Sequence, residues 1–96
     1  MTLHTFAKGL NHSALFRKCL AVAGDSDAIL LIEDGVHWAF PSPLANEFIV
    51  NPHEFYCLSE DARARGINKF RDGVSLVDYE GFVELTVRFD KTIAWF

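Results

Sequence analysis

Two cysteines offer the sequence's soft nucleophiles, and their settings differ. In "LFRKCLAVAG", residues 15 to 24, Cys19 directly follows Arg17 and Lys18; in "EFYCLS", residues 54 to 59, Cys57 stands near the end of an apolar run, just before Glu60 and Asp61. A cysteine attacks as its thiolate, which needs a partly exposed, electropositive setting, whereas a thiol among apolar neighbours has a raised pKa and is inert. Each residue advances about 100° around a helix. Leu15, Phe16, Cys19, Leu20, Val22 and Ala23 therefore share one broad stripe, with Cys19 near its middle and Arg17 and Lys18 outside it. Adjacent residues on a helix do not face each other, so the basic pair does not by itself activate Cys19, and packing is the stronger reading. Cys57 is better placed for chemistry, at the carboxyl end of a strand and before a helix whose amino end favours a thiolate. Strand side chains alternate, however, and a shift of one residue turns Cys57 into the sheet. Both readings stay open for it.

The other chemistry-bearing residues form no complete constellation. The four histidines fall at positions 4, 12, 37 and 53, without metal-ligand spacing. Glu33 and Asp34 are adjacent, so in a strand they point to opposite faces; a turn is the better use for them. His37 beside Trp38 fits packing better than catalysis. There is no G-x-S-x-G, no phosphate-cradling glycine loop and no C-x-x-C. No metal or cofactor site is expected.

Five short strands and the helices between them must position these residues. "LHTF", 3 to 6, is the first strand, and Asn11 or Ser13 is expected to cap a helix that runs to about Ala23. Gly24 suits the left-handed position after it. "AILLIE", 28 to 33, is apolar without alternation, the pattern of a strand buried on both faces near the centre of a parallel sheet. "VHWAF" allows a turn or so of helix before Pro41 and Pro43, and "PSPLANEFIVNP" reads as mostly loop with one short helical piece. "EFYCLS" is the third strand, and "EDARARG" a helix closed by Gly66 with its charges following the macrodipole. "VSLVD", 74 to 78, is the fourth, with Asp78 capping the next helix. There Tyr79, Phe82, Val83, Thr86 and Phe89 recur at three- and four-residue steps to face the sheet, and Glu84 and Arg88 make an exposed pair. "TIAWF" is a fifth strand whose aromatics need cover.

Strands alternating with helices imply right-handed crossovers and a parallel sheet with helices on both faces, a small flavodoxin-like α/β domain spanning residues 1–96. The working edge of such a sheet is the carboxyl end of its strands. Here that edge carries Ala7 to Ser13, Asp34 to Trp38, Cys57 to Asp61, and Asp78.

Composition limits the function classes. Half the residues are hydrophobic and the formal net charge is −4, with basic residues scattered, which argues against a direct grip on nucleic acid. Neither a secretory leader nor an 18-residue apolar run is visible, so the expectation is a soluble cytoplasmic protein with reduced thiols and no membrane partner.

"LHTF", "LLIEDGV" (30 to 36), "YCLSEDARARG" (56 to 66), "VDYEGFVELTV" (77 to 87) and the closing "AWF" together resemble the TusB/DsrH family of sulfur-relay subunits across essentially the whole chain. "DYxxFVxLTV" is the most specific part. The resemblance implies the same α/β fold and a heterohexamer with paralogous TusC/TusD-like or DsrF/DsrE-like subunits. Such a complex passes persulfide sulfur to a TusE/DsrC-like carrier, toward 2-thiolation of a tRNA wobble uridine in the Tus branch or in sulfur oxidation in the Dsr branch. In the family the sulfur acceptor belongs to the TusD/DsrE paralogue. Counting back from Gly66 puts Leu58 at that acceptor's place and Cys57 one residue earlier, so the role does not transfer to Cys57. A cysteine resembling Cys19 recurs in DsrH-type members and some TusB-type ones, which leaves a Dsr-like auxiliary role open for it. The reading is an auxiliary, non-catalytic subunit of a persulfide-relay complex, with the tRNA branch favoured. The alternatives are the sulfur-oxidation branch or a sulfurtransferase using its own Cys57 or Cys19.

Overall fold

The computed structural model describes residues 1–48 and 53–96. Its strands are β1 (Thr2–Phe6), β2 (Ala28–Leu31), β3 (Glu54–Leu58), β4 (Val74–Val77) and β5 (Lys91–Trp95); its α-helices are α1 (Ser13–Val22), α2 (Pro43–Phe48), α3 (Ser59–Ala64) and α4 (Tyr79–Arg88). The strands form one sheet in the order β4-β3-β2-β1-β5, and every neighbouring pair is parallel. β2 is central, and β1 and β2 are buried at each position, as the unalternating run "AILL" requires. Among the described residues no helix is long and apolar enough to cross a membrane.

Chain direction decides which face each helix covers. From β1 to β4 every crossover steps the same way, which carries α1, a 3-10 stretch over Glu33–Ala39, α2 and α3 onto one face; the return from β4 to β5 carries α4 across the other. The first face holds the larger core, with Phe6, Phe16, Cys19, Ile29, Leu31, Trp38, Phe48, Phe55, Cys57 and Ala62 buried together. Phe16 stacks on Trp38 at 4.3 Å between ring centroids, and Phe48 meets Trp38 edge-on at 5.2 Å. Such pairs each add about 1 kcal/mol beyond the area they bury. The Trp38 indole N–H, which burial would otherwise leave without a partner, donates to the Lys8 carbonyl at 3.1 Å. The second face is thinner: Leu3, Ala28 and Leu30 lie under Leu85 of α4 and Phe89, which directly follows it.

Several local expectations are corrected. Neither Asn11 nor Ser13 caps α1 with its side chain; a 3-10 turn over Leu10–His12 leads into the helix instead. Gly24 is not left-handed, because Ala23 ends α1 in an extended conformation and the Asp27 carboxylate accepts from the Gly24 N–H at 2.9 Å. "VHWAF" belongs to a 3-10 stretch that begins already at Glu33. "PSPLANEFIVNP", by contrast, holds the one short helical piece expected of it, α2, and its residues 49–52 lie outside the described residues. On α4 the sheet-facing residues are Phe82, Leu85 and, at its end, Phe89, whereas Tyr79, Val83 and Thr86 face away. Arg88 reaches β3, donating to Glu54 Oε2 at 2.9 Å and to the Tyr56 hydroxyl at 3.1 Å, instead of serving Glu84. Gly66, with φ 71°, and Asp78, whose carboxylate accepts from the Gly81 N–H at 2.8 Å, act as expected.

One glycine is fixed by a close approach. A Cβ on Gly35 would lie 2.1 Å from the Phe6 carbonyl oxygen, so the backbone after β2 can press against the end of β1 only without a side chain. Gly35→Ala is expected to cost about 2–3 kcal/mol in urea denaturation, because backbone rather than a flexible side chain must yield. A loss below about 0.5 kcal/mol would show that this approach is not a constraint.

Candidate functional site

The carboxyl ends of β1, β2 and β3 bring together Ala7 to Gly9, Glu33 to Trp38 and Leu58 to Asp61. The segment "EDARARG" ties this edge together through its charges. Asp61 Oδ2 accepts from the Glu33 backbone N–H at 2.7 Å, and Arg65 Nε donates to Asp34 Oδ1 at 3.0 Å. Glu60 Oε2 accepts from the Tyr79 N–H at 3.2 Å, fastening the first turn of α4 to α3. Glu33 itself is left-handed, with φ 50°, a conformation a non-glycine residue adopts at some cost; its bond to Asp61 helps hold it there. The Arg65 hydrogen bond and charge hold the exposed Asp34 carboxyl below its usual range. Glu33 and Asp34 thus open the 3-10 stretch instead of lying in a simple turn, and they serve as attachment points. The signal for these tethers was the cluster of two acids and two arginines in "EDARARG"; their partners, up to 31 residues away, have no local signature.

Neither thiol reaches this edge as a free group. Cys19 is fully buried on α1 beneath the aromatic core, and desolvation pushes its thiol up to about 12. Cys57 pairs in register with Leu31 on one side and Leu76 on the other, which turns its side chain onto the first face. It too is fully buried; desolvation and then the nearby Asp61 charge push it up to about 12. Its sulfur lies 4.0 Å from the Leu58 carbonyl oxygen. The helix that follows at α3 therefore does not produce a thiolate. His37 is half-buried beside the fully buried Trp38. Among the described residues no group of three or more His, Cys, Asp or Glu could hold a metal ion.

An exposed apolar stripe lies elsewhere. Along the outer side of α4, Tyr79, Val83 and Val87 recur every four residues, with Val83 61% and Val87 80% exposed. On its inner side a groove of about 250 Å³ opens toward the β4 edge, lined by Tyr56, Val77, Gly81, Glu84, Leu85 and Arg88. At the opposite edge β5 is exposed over Lys91 to Ala94, with Ile93 and Phe96 uncovered. Water tolerates isolated apolar side chains, but a helix that is apolar on two opposite sides usually has a second surface to meet.

A family profile described as "DsrH like protein" matches residues 11–92. The protein TusB of Salmonella typhi is 38% identical over 101 residues, covering 97% of this chain and 99% of that one. Its counterpart in Salmonella dublin is 37% identical over the same span. Among solved structures, the solution NMR structure of a Thermotoga maritima protein superposes with a TM-score of 0.71 at 28% identity, over 92% of this chain and 93% of that one. The crystal structure of the ychN protein from E. coli gives 0.73 at 15% identity, over 97% and 96% of the two chains, which supports the fold alone.

Burial makes a direct forecast about the thiols. With a pKa near 12, on the order of one molecule in ten thousand or fewer carries either thiolate at pH 7.5. Iodoacetamide should leave Cys19 and Cys57 unmodified in the folded chain over an hour and modify both in denaturant. Rapid native-state labelling of either would show that the chain opens to expose that thiol.

Proposed function

Since the chain belongs to the DsrH-like family, whose relatives here carry the name TusB, we propose that this sulfur-relay subunit is an auxiliary member of a persulfide-transfer complex. It pairs with TusC/TusD-like paralogous subunits, and the complex serves 2-thiolation of a tRNA wobble uridine. The persulfide sits on a paralogue, passes to a TusE-like carrier, and never resides on this chain. The observation that carries the non-catalytic reading is the full burial of both cysteines among apolar side chains. A persulfide carrier must be attacked by an incoming thiolate, and neither sulfur offers a path for one.

Its contribution is then to shape and complete the assembly. The outer stripe of α4 and the exposed β5 edge are the surfaces a paralogous subunit would cover, and both lie away from the buried thiols. The acidic balance of the chain fits contact with proteins in preference to the RNA backbone.

The test is to load the reconstituted complex with ³⁵S-labelled persulfide and separate the subunits under non-reducing conditions. Label should sit on the TusD-like partner and be absent from this chain; label on Cys19 or Cys57 would overturn the auxiliary reading. A paired Val83→Glu and Val87→Glu substitution tests the assembly role. Both positions are exposed, so folding should change by no more than about 0.5 kcal/mol. Association with the partners should weaken by at least about tenfold, as desolvating two charges in an apolar contact requires. Unchanged association would remove α4 from the interface.

A further inference from the structure

His4 occupies a position that neither the thiols nor the α4 surface explains. Its imidazole is 1% exposed in the middle of β1, and both ring nitrogens have partners. Nδ1 lies 3.1 Å from Trp95 Nε1, at the end of β5 and 91 residues away in sequence. Nε2 lies 3.0 Å from Asp27 Oδ2, in the turn that leads into β2. An indole nitrogen only donates, so Nδ1 must accept and carry no proton. The single ring proton therefore sits on Nε2 and is donated to Asp27. One imidazole thus bridges the edge strand to the turn before the central strand, and it can do so only while neutral.

Asp27 is well suited to receive that proton. It also accepts from the Thr2 N–H at 2.8 Å and the Gly24 N–H at 2.9 Å. Burial works to raise its carboxyl, but the His4 hydrogen bond and these two N–H groups outweigh it and lower the carboxyl to about 2. Asp27 therefore stays a carboxylate through mildly acidic pH. Within the triad, then, only the imidazole is left to change its protonation state over that range.

A second proton on the ring, taken from solvent, can only add at Nδ1. It would then point at the Trp95 N–H, donor against donor. Turning the ring over does not help, because both nitrogens of an imidazolium donate. The groups bearing on His4 from the packed elements divide as follows. Asp27, from the turn before β2, favours the charged ring. The Trp95 N–H from β5 opposes it, as does Lys91 further along the same face of that strand. Cys19, which α1 brings to this core, stays uncharged. The backbone ladder from Thr2↔Lys91 to Phe6↔Trp95 and the bond from the Ala7 N–H to the Trp95 carbonyl, 3.1 Å, do not pass through the imidazole. The change is thus centred on the indole, which also packs against the first-face core, and it leaves the strand pairing in place.

We propose that His4, Asp27 and Trp95 form a proton-sensitive latch: the neutral Nε2–H imidazole fastens the Trp95 side chain to the sheet edge, and protonation at Nδ1 releases it. The sign follows from the geometry. The latch needs the neutral ring, so it is closed while Nδ1 carries no proton and opens when acidification protonates that nitrogen. It is a property of the chain alone and does not rest on the sulfur-relay reading.

Long-range ¹H–¹⁵N correlation of the full chain, recorded from pH 8 to the onset of acid unfolding, tests it. At pH 8 His4 should be the Nε2–H tautomer with the Trp95 indole proton protected from exchange. On acidification, imidazolium formation and loss of that protection should share one midpoint, with protection falling at least about tenfold. The Nδ1–H tautomer at pH 8, titration of His4 with the indole still protected, or no titration before the domain unfolds would each overturn it. Trp95→Phe removes the opposing donor and should raise the proton affinity of His4 by about threefold or more. An unchanged midpoint in that variant would also overturn it. His4→Gln, which keeps one acceptor and one donor, should make the Trp95 protection independent of pH.

Discussion

A parallel sheet has to be covered on both faces, and this chain has unequal material for the task. Between β1 and β4 it supplies α1, a 3-10 stretch, α2 and α3 to one face; for the other it supplies α4 alone. The inequality follows from topology. Four strands laid down in one direction send their crossovers to one side, and only the single return to β5 crosses on the other. The deep side therefore has a full aromatic core and the shallow side has one helix spread over a five-stranded sheet.

The distribution of chemistry follows the same inequality. Cys19 and Cys57 both fall on the deep side, beneath the layer that contains Phe16, Trp38 and Phe48, and desolvation there keeps their thiols protonated. On the shallow side and at the strand edges lie several exposed apolar residues, Tyr79, Val83 and Val87 on α4, Leu76 on β4 and Ile93 on β5, while Val22, Phe40 and Leu44 are exposed on the deep side. A subunit whose sulfur atoms are sealed and whose thin face is apolar is suited to holding other subunits in place. The polar tethers at the carboxyl edge, from Glu60, Asp61 and Arg65, keep the loops of that edge fixed without providing a nucleophile.

Features set by local chemistry were legible in the sequence. The unalternating "AILL" marked the central strand, Asp78 marked the start of α4 and Gly66 the close of α3. Helical spacing placed Cys19 in the core, where it lies. Features set by long-range geometry were not legible. On α4 apolar residues occur all around the helix, so three- and four-residue steps fit a stripe through Tyr79 and Val83 as well as the true sheet-facing set of Phe82, Leu85 and Phe89. The phase of Cys57 depended on its register with β2 and β4. Gly35 reads as an ordinary turn glycine until the Phe6 carbonyl is seen beside it, and His4 reads as a strand residue until Trp95 closes over it from the far end of the chain.

The central claim is that the thin face is completed by another subunit while the thiols stay sealed. Hydroxyl-radical footprinting of the chain, free and within the reconstituted complex, tests it most directly, because it reads side-chain exposure residue by residue. The account predicts that Tyr79, Val83 and Val87 are oxidised in the free chain and strongly protected in the complex, with Cys19 and Cys57 unreactive in both. Equal oxidation of the α4 stripe in the two states, or a cysteine that becomes reactive on assembly, would contradict it.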